Sequence, residues 1–200
     1  VPTNPSHFKI YKNLKKFKSK KVDISNKDKI KKIIYDYKPD FIFHLAAQAL
    51  VKKSYLNPVR TWRSNTFGTL NILDALRDYK KKVVVVLITS DKVYKNIEKK
   101  TGYKETDLLG GKDPYSASKT AAEIVIRSYM DSFLLKKNNL STVIARAGNV
   151  VGGGDWSENR LIPDCVKAWS KNKKVIIRNP NSTRPWQHAV SYTHLTLPTT

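Results

Sequence analysis

The chain has 200 residues, 40% hydrophobic and 27% charged, with a formal net charge of +22. That is enough sequence for one ordinary domain with a real core, and its longest apolar run, Val83 to Ile88, is far too short to span a bilayer. The single cysteine, Cys165, excludes an intramolecular disulfide and a cysteine-rich zinc site.

The excess charge attracts phosphate groups in general. It comes from 38 basic against 16 acidic residues, and only eight of the basic ones are Arg. The lysines are spread through every segment rather than gathered in a tract, which reads as solvated surface. The run Lys12 to Lys21, interleaved with Leu14 and Phe17, reads as such a segment. No nucleic-acid partner and no membrane is expected. Val1 to Pro5 shows no basic and apolar leader pattern, so a reducing cytoplasm is the expected compartment.

In chain order, Ser25 to Tyr37 reads as a helix ended before Pro39. Phe41 to Leu45 reads as a buried strand. Asn57-Pro58 is a helix start, with Asn as N-cap and Pro at the first position. Val59, Trp62, Thr66, Leu70, Leu73 and Leu76 then recur on one face to about Tyr79. Val83 to Thr89 is a second strand, almost wholly β-branched. Asp113-Pro114 starts another helix, continued by Ala117, Ala121, Ile124, Val125 and Ser128. Thr142 to Ala145 is a third strand. Continuous apolar strands of this kind belong to parallel sheets covered on both faces. The alternation predicts an α/β fold, an open, right-handed, doubly wound, Rossmann-like sheet.

Such a sheet needs a first strand and a Gly-rich turn, and no G-x-G-x-x-G occurs near residue 1. The chain is therefore expected to be an internal fragment. Its expected organisation is a partial nucleotide-binding domain over 1–150 and the start of a substrate region over 151–190. Residues 191–200 (SYTHLTLPTT) lack the charge and periodicity of the rest and are expected to be a foreign tail.

Tyr115 and Lys119 share one helix face. A nearby ammonium favours the phenolate and makes Tyr115 a base for a substrate hydroxyl. The pair follows the Asp-Pro helix start and a strand that ends in Thr89-Ser90-Asp91. Gly152-Gly153-Gly154 permits a tight turn near a phosphate, or is a simple loop. His44 reads as a packed, hydrogen-bonded histidine, and no metal site is expected. The four tryptophans read as core or pocket walls, and Cys165 as inert.

Together these residues resemble the extended short-chain dehydrogenase/reductase family. His44-Leu45-Ala46-Ala47-Gln48, Asn65 within Ser64 to Thr69, Ser90, Tyr115 with Lys119, and Arg146 to Gly152 stand in the family's order. The resemblance implies NAD as cofactor, bordered by Asp23, Ile24, Ala46, Ala47, Gln48, Asn65, Tyr115 and Lys119. Four longer stretches sharpen it to the 4,6-dehydratase branch acting on CDP-glucose: Ala46 to Val51, Thr89 to Tyr94, Ala147 to Trp156, and Arg178 to His188. Pro2 to Ser6 also fits that branch.

The implied reaction is a hydro-lyase step of deoxysugar biosynthesis. Oxidation of the hexose at C4 acidifies C5–H, water leaves from C5 and C6, and hydride returns to C6. The resemblance makes Tyr115 the C4-hydroxyl base, tuned by Lys119, with Ser90 bonding the C4 oxygen. It makes Asp91 the acid for the departing C6 hydroxyl. Lys92 stands where dTDP-glucose dehydratases carry Glu, and is either the C5 base or a cation that stabilises the enolate. Asn149, Arg160 and Arg184 are the candidates for the nucleotide and its diphosphate. The family also implies a homodimer paired through the stretches 58–79 and 114–136.

Two other readings follow from the same residues. A 4-epimerase would need Tyr115 and Lys119 but not Asp91 and Lys92. A basic nucleic-acid-binding module would show affinity that falls steeply with salt. Without the Gly-rich turn, the fragment alone is expected to bind NAD poorly and not to turn over.

Overall fold

A computed structural model of the chain describes residues 17–196, with side chains through 192. The segment Pro2–Ser6, part of the basic run and the last four residues lie outside the described residues. Two compact units are present, one of Lys21–Ala147 and one that groups the chain up to Lys20 with the chain from Gly148 onward.

The first unit is built on three parallel strands, β1 (Phe41–His44), β2 (Val83–Ile88) and β3 (Leu140–Ala145), in the order β1-β2-β3. Phe41 pairs with Val84 and Val83 with Leu140. Helix α1 (Lys27–Tyr37) starts two residues later than Ser25, because Asn26 is the cap and accepts the Lys29 N–H at 3.0 Å. Ser25 is held instead in a turn, donating from N and Oγ to the Asp23 carboxylate at 2.9 and 2.8 Å. The helix ends at Lys38 in the left-handed region, φ 45°, just before Pro39.

The connection from β1 to β2 is more broken than its apolar pattern predicts. It contains α2 (Val51–Leu56), α3 (Pro58–Trp62), a π-helical turn over Arg63–Phe67, and α4 (Gly68–Arg77). Sequence reasoning missed α2, which has no side-chain cap on its Leu50 N-cap residue. Pro58 does begin α3, but Asn57 makes no side-chain cap bond. Its backbone, at φ −138°, also closes α2 by donating to the Lys53 carbonyl. Val59 faces solvent, while Thr66, Leu73 and Leu76 are buried.

Helix α5 (Pro114–Tyr129) connects β2 to β3. Asp113 and Ser116 cap it reciprocally: the Asp113 carboxylate accepts the Tyr115 and Ser116 N–H groups at 3.0 and 3.1 Å, and Ser116 Oγ accepts the Asp113 N–H at 3.1 Å. Its buried face is not the apolar one read from the sequence. Ile124 and Ser128 are exposed, whereas Tyr115, Ser118, Lys119, Ala122, Glu123 and Ile126 are buried. The helix turns its reactive polar side inward.

Ile72, Leu73 and Leu76 of α4, Val83, Val85 and Leu87 of β2, Ile126 of α5 and Leu140 of β3 form the core. Helix α1 packs on α4, and α4 on α5. Side chains alternate across a strand, so Phe41 and Val143 point to the opposite face. They are 48% and 53% exposed. Among the described residues the packed core lies on one face of the sheet.

The second unit pairs two short parallel strands, β4 (Asn149–Val151) and β5 (Trp186–His188). It also holds helices α6 (Leu161–Trp169) and α7 (Ala189–Thr196). Cys165 is buried in α6, but Trp169 and Trp186 are exposed, not core. Helix α7 runs into the stretch set apart as a tail. Gly154, at φ 84°, supplies the turn for which the triple glycine is suited. No helix among the described residues is long and apolar enough to cross a membrane.

Candidate active site

The C-terminal ends of β1 and β2 are where an open parallel sheet presents ligands. Three chain segments meet there. Beyond β1 lies His44-Leu45-Ala46-Ala47-Gln48; beyond β2 lies Thr89-Ser90 and a 3₁₀ turn over Asp91–Val93; alongside runs the first half of α5.

Asn65, 1% exposed in the π-helical turn, ties two of these together. Its Oδ1 accepts the Gln48 N–H at 2.8 Å, and its Nδ2 donates to the Gln48 carbonyl at 3.1 Å and to Ser118 Oγ at 2.9 Å. Both amide hydrogens are thereby used. Asn65 acts on the site by placing Gln48 and α5. Gln48 in turn bonds the backbone of Leu50 and Thr61 Oγ1.

His44 is buried, with Nε2 3.0 Å from Thr69 Oγ1. The Thr69 hydroxyl gives its hydrogen to the Asn65 carbonyl at 2.7 Å. Nε2 must therefore be the protonated ring nitrogen. Burial, reinforced by the Lys119 charge, pulls the His44 pKa down to about 4. The ring is neutral at pH 7 and structural, as its sequence position suggests.

Tyr115 and Lys119 are both buried, at 8% and 7% exposure. The Lys119 amine donates to the Ile88 carbonyl at 3.2 Å. Burial lowers its pKa to about 8, against the opposing pull of the Glu123 carboxylate. Ser90 is buried and half-buried Asp91 follows it. Ser90 Oγ donates to the Asp91 carboxylate at 3.1 Å and accepts the Lys92 N–H at 3.3 Å. The Asp91 N–H is held by the Ala147 carbonyl at 2.9 Å. The Lys92 amine stands 5.7 Å from the centre of the Tyr115 ring. A hydroxyl, a carboxyl, two amines and a phenol thus stand around the C-terminal end of β2, a set able to move protons on a polyol.

Asp23 lies on the surface, its carboxyl held below the usual range chiefly by hydrogen bonds from Ser25, with Arg60 and Arg63 adding to the effect. Ile24 is half-buried. Its carbonyl accepts from Asn71 Nδ2 at 3.0 Å, and its side chain fills the space where a Cβ on Gly68 would stand, 2.7 Å from Ile24 Cγ2. Ala46 is exposed and Ala47 half-buried.

The remaining candidates belong to the second unit. The Asn149 N–H bonds the Pro185 carbonyl at 2.9 Å. Arg160 precedes α6, 3.5 Å from the Asp155 carboxylate. Arg184 is exposed. Among the described residues no group of three His, Cys, Asp or Glu side chains is placed to hold a metal ion.

Sequence reasoning did not single out Glu123. It is fully buried on α5, one turn beyond Lys119. Arg146, first residue of the Arg146–Gly152 stretch, turns its side chain inward and bonds the Glu123 carboxylate from Nε at 2.8 and 3.1 Å and from a terminal nitrogen at 2.6 Å.

This parallel sheet with its connecting helices is Rossmann-like, and the chain belongs to the GDP-mannose 4,6 dehydratase family, whose model matches residues 3–197. It is 42% identical over 194 residues to the CDP-glucose 4,6-dehydratase of Salmonella typhimurium, covering 95% of this chain and 54% of that protein. Its fold matches the UDP-glucose 4-epimerase of Thermotoga maritima with UDP-glucose (TM-score 0.78, 20% identity, 92% of this chain and 62% of that one). It also matches the Thermus thermophilus UDP-glucose 4-epimerase in complex with NAD (TM-score 0.73, 28% identity, 87% and 58%). The chain spans about half the length of the curated relatives it matches.

Proposed function

We propose that the protein is a hydro-lyase that dehydrates CDP-glucose to CDP-4-keto-6-deoxyglucose, with NAD as cofactor, in deoxysugar biosynthesis. The observation that carries this reading is the Ser90-Asp91-Lys92 turn set beside Tyr115 and Lys119. An epimerase needs the phenol and its lysine; elimination needs the additional acid and amine. The similarity to a CDP-glucose dehydratase supports the choice of nucleobase.

The residues present suit NAD. Lys119 is a buried amine with three N–H donors, of which one meets the Ile88 carbonyl, a donor set fit for a ribose diol. Ala46 and Ala47 place nothing larger than a methyl group at the end of β1, and Asp23 offers a carboxylate acceptor. Asp23, Ile24, Ala46, Ala47, Gln48, Tyr115 and Lys119 would hold the cofactor, with Asn65 fixing Gln48 in place. When bound, NAD would accept hydride from C4 and return it at C6.

Within that frame Tyr115 takes the proton of the C4 hydroxyl. The Lys119 charge beside it favours the phenolate. Ser90 bonds the C4 oxygen. Asp91 protonates the departing C6 hydroxyl. Lys92, its amine 5.7 Å from the centre of the Tyr115 ring, takes the proton lost from C5, and the resulting cation stabilises the enolate. The first unit carries this chemistry. Asn149, Arg160 and Arg184 of the second bind the nucleotide diphosphate, with Arg suited to paired phosphate contacts.

A cytoplasmic homodimer is part of this proposal. Val59, Phe67 and Ile124, on the two stretches assigned to pairing, are each more than half exposed, which supports burial of those helices in a partner. The test is incubation of the full-length protein with CDP-glucose and NAD. A 4-keto-6-deoxy product, absorbing in base, is expected. A C4 epimer would replace this reading with an epimerase, and turnover of only a uridine or thymidine sugar would overturn the nucleobase.

A further inference from the structure

Glu123 is the most deeply buried charge in the first unit, at 0% exposure. Desolvating a carboxylate is costly unless every oxygen is answered. Here both are. Arg146 bonds the two oxygens in a fork, and Thr89 Oγ1 donates to Oε1 at 2.6 Å. Thr89 directly precedes Ser90. Arg146 lies at the end of β3, with its guanidinium 4.6 Å from the centre of the Tyr94 ring and 3.2 Å from the Glu105 carbonyl. One carboxylate therefore joins the Tyr115–Lys119 helix to the strand end that bears Ser90 and Asp91, and through Arg146 to the chain just beyond that turn.

The spacing along α5 adds to this. Tyr115, Lys119 and Glu123 are successive i, i+4 positions on the buried side. Lys119 reaches the Ile88 carbonyl and Glu123 the next residue, Thr89.

We propose that Glu123 is a positioning residue of the active site: it fixes Ser90 and Asp91 against Tyr115 and Lys119, and places a negative charge one turn from the Lys119 amine. Its kinetic consequence rests on the dehydratase reading above; its effect on Lys119 does not. The groups around Lys119 are Tyr115 and Glu123 one turn away on its own helix, neutral His44 from β1 and the Ile88 carbonyl from β2. Of these, the Glu123 charge favours the ammonium, as the direction of its effect on Lys119 indicates.

The experiment uses the full-length protein with two substitutions. In Glu123→Gln, Lys119 is followed by NMR of lysine labelled at Cε, the signal being assigned with Lys119→Arg. Its midpoint is expected to fall by about one pH unit, and the alkaline limb of kcat to fall with it while KM stays within about twofold. In Thr89→Val the charge remains but the tie to the strand end is cut. There kcat is expected to drop about tenfold with the alkaline limb unmoved. An unchanged Lys119 midpoint in Glu123→Gln, or wild-type kcat in Thr89→Val, overturns the proposal. Should Glu123→Gln fail to fold, Thr89→Val decides alone. Should the wild type dehydrate no nucleotide sugar, the dehydratase reading fails and the Lys119 midpoint still decides the role of Glu123.

Discussion

Asn65 Nδ2 donates to Ser118 Oγ at 2.9 Å, across 53 residues of sequence, and Ser118 Oγ donates in turn to the Tyr115 carbonyl at 2.7 Å. This chain of bonds fixes the first turn of α5 against the π-helical turn, so the orientation of the proposed base depends on an amide that does no chemistry. Replacing Asn65 with Leu leaves the Gln48 N–H without its partner in a buried setting. Each such loss costs about 1–3 kcal/mol. Urea unfolding of the full-length protein is expected to show a stability loss in that range, and a change below ~0.5 kcal/mol would contradict the tie.

Tyr115→Phe removes only the hydroxyl. General acid–base groups contribute roughly 10²–10⁴-fold in rate. We expect kcat to fall by that factor while the melting temperature is preserved, checked by product formation and circular dichroism on the same sample. Asp91→Asn should spare C4 oxidation and stop loss of water, so that reduced cofactor accumulates at 340 nm in place of product.

His44 is held neutral by burial, with its pKa drawn from 6.5 to about 4. Between those values the unfolded chain binds a proton that the folded one refuses. Stability therefore rises with pH across that window and is lost as pH falls from about 6.5 toward 4. The magnitude is about 3 kcal/mol at full effect. His44→Gln cannot take up that proton. The difference in unfolding free energy between wild type and His44→Gln should change by this amount from pH 6.5 to pH 4, and a flat difference would refute the assignment.

Gly111 lies where the loop after β2 passes the first turn of α5. A Cβ there would sit 2.2 Å from the Ala117 nitrogen and 2.3 Å from the Ser116 carbonyl carbon. Backbone atoms cannot yield as a flexible side chain does, so Gly111→Ala must push the Tyr115 turn away from the strand end. Overpacking of this kind costs about 1–3 kcal/mol. A lower melting temperature together with a lowered kcat is expected. Gly102→Ala, with nothing within 4 Å of its new methyl, serves as the control.

The strands and the start of α5 were readable because they rest on local rules: β-branched runs, and an Asp-Pro cap. The break at Asn57 was not. A residue that closes one helix and opens the next looks like an ordinary cap in sequence, yet its side chain makes no cap bond. The buried face of α5 was misread for a different reason. Hydrophobic periodicity points to Ile124, but the inward face carries Ser118, Lys119 and Glu123, polar residues that an apolar pattern passes over. Tyr115 and Lys119 were legible from their fixed spacing. Glu123 and Arg146 were not paired in the reading, since partners 23 residues apart on different elements leave no spacing to recognise.

The π-helical turn at Arg63–Phe67 holds one residue more than an α-helical path would need. Loss of a single codon there would regularise the helix and leave its two flanks in register, since the extra residue is what the bulge absorbs. Asn65, which sits within the turn, would lose the placement that brings it to Gln48 and Ser118. Substitutions on this stretch can be absorbed one at a time, but the extra residue is what holds Asn65 in place, so lineages of this fold should gain and lose residues in the surface connections and keep the length of this segment fixed.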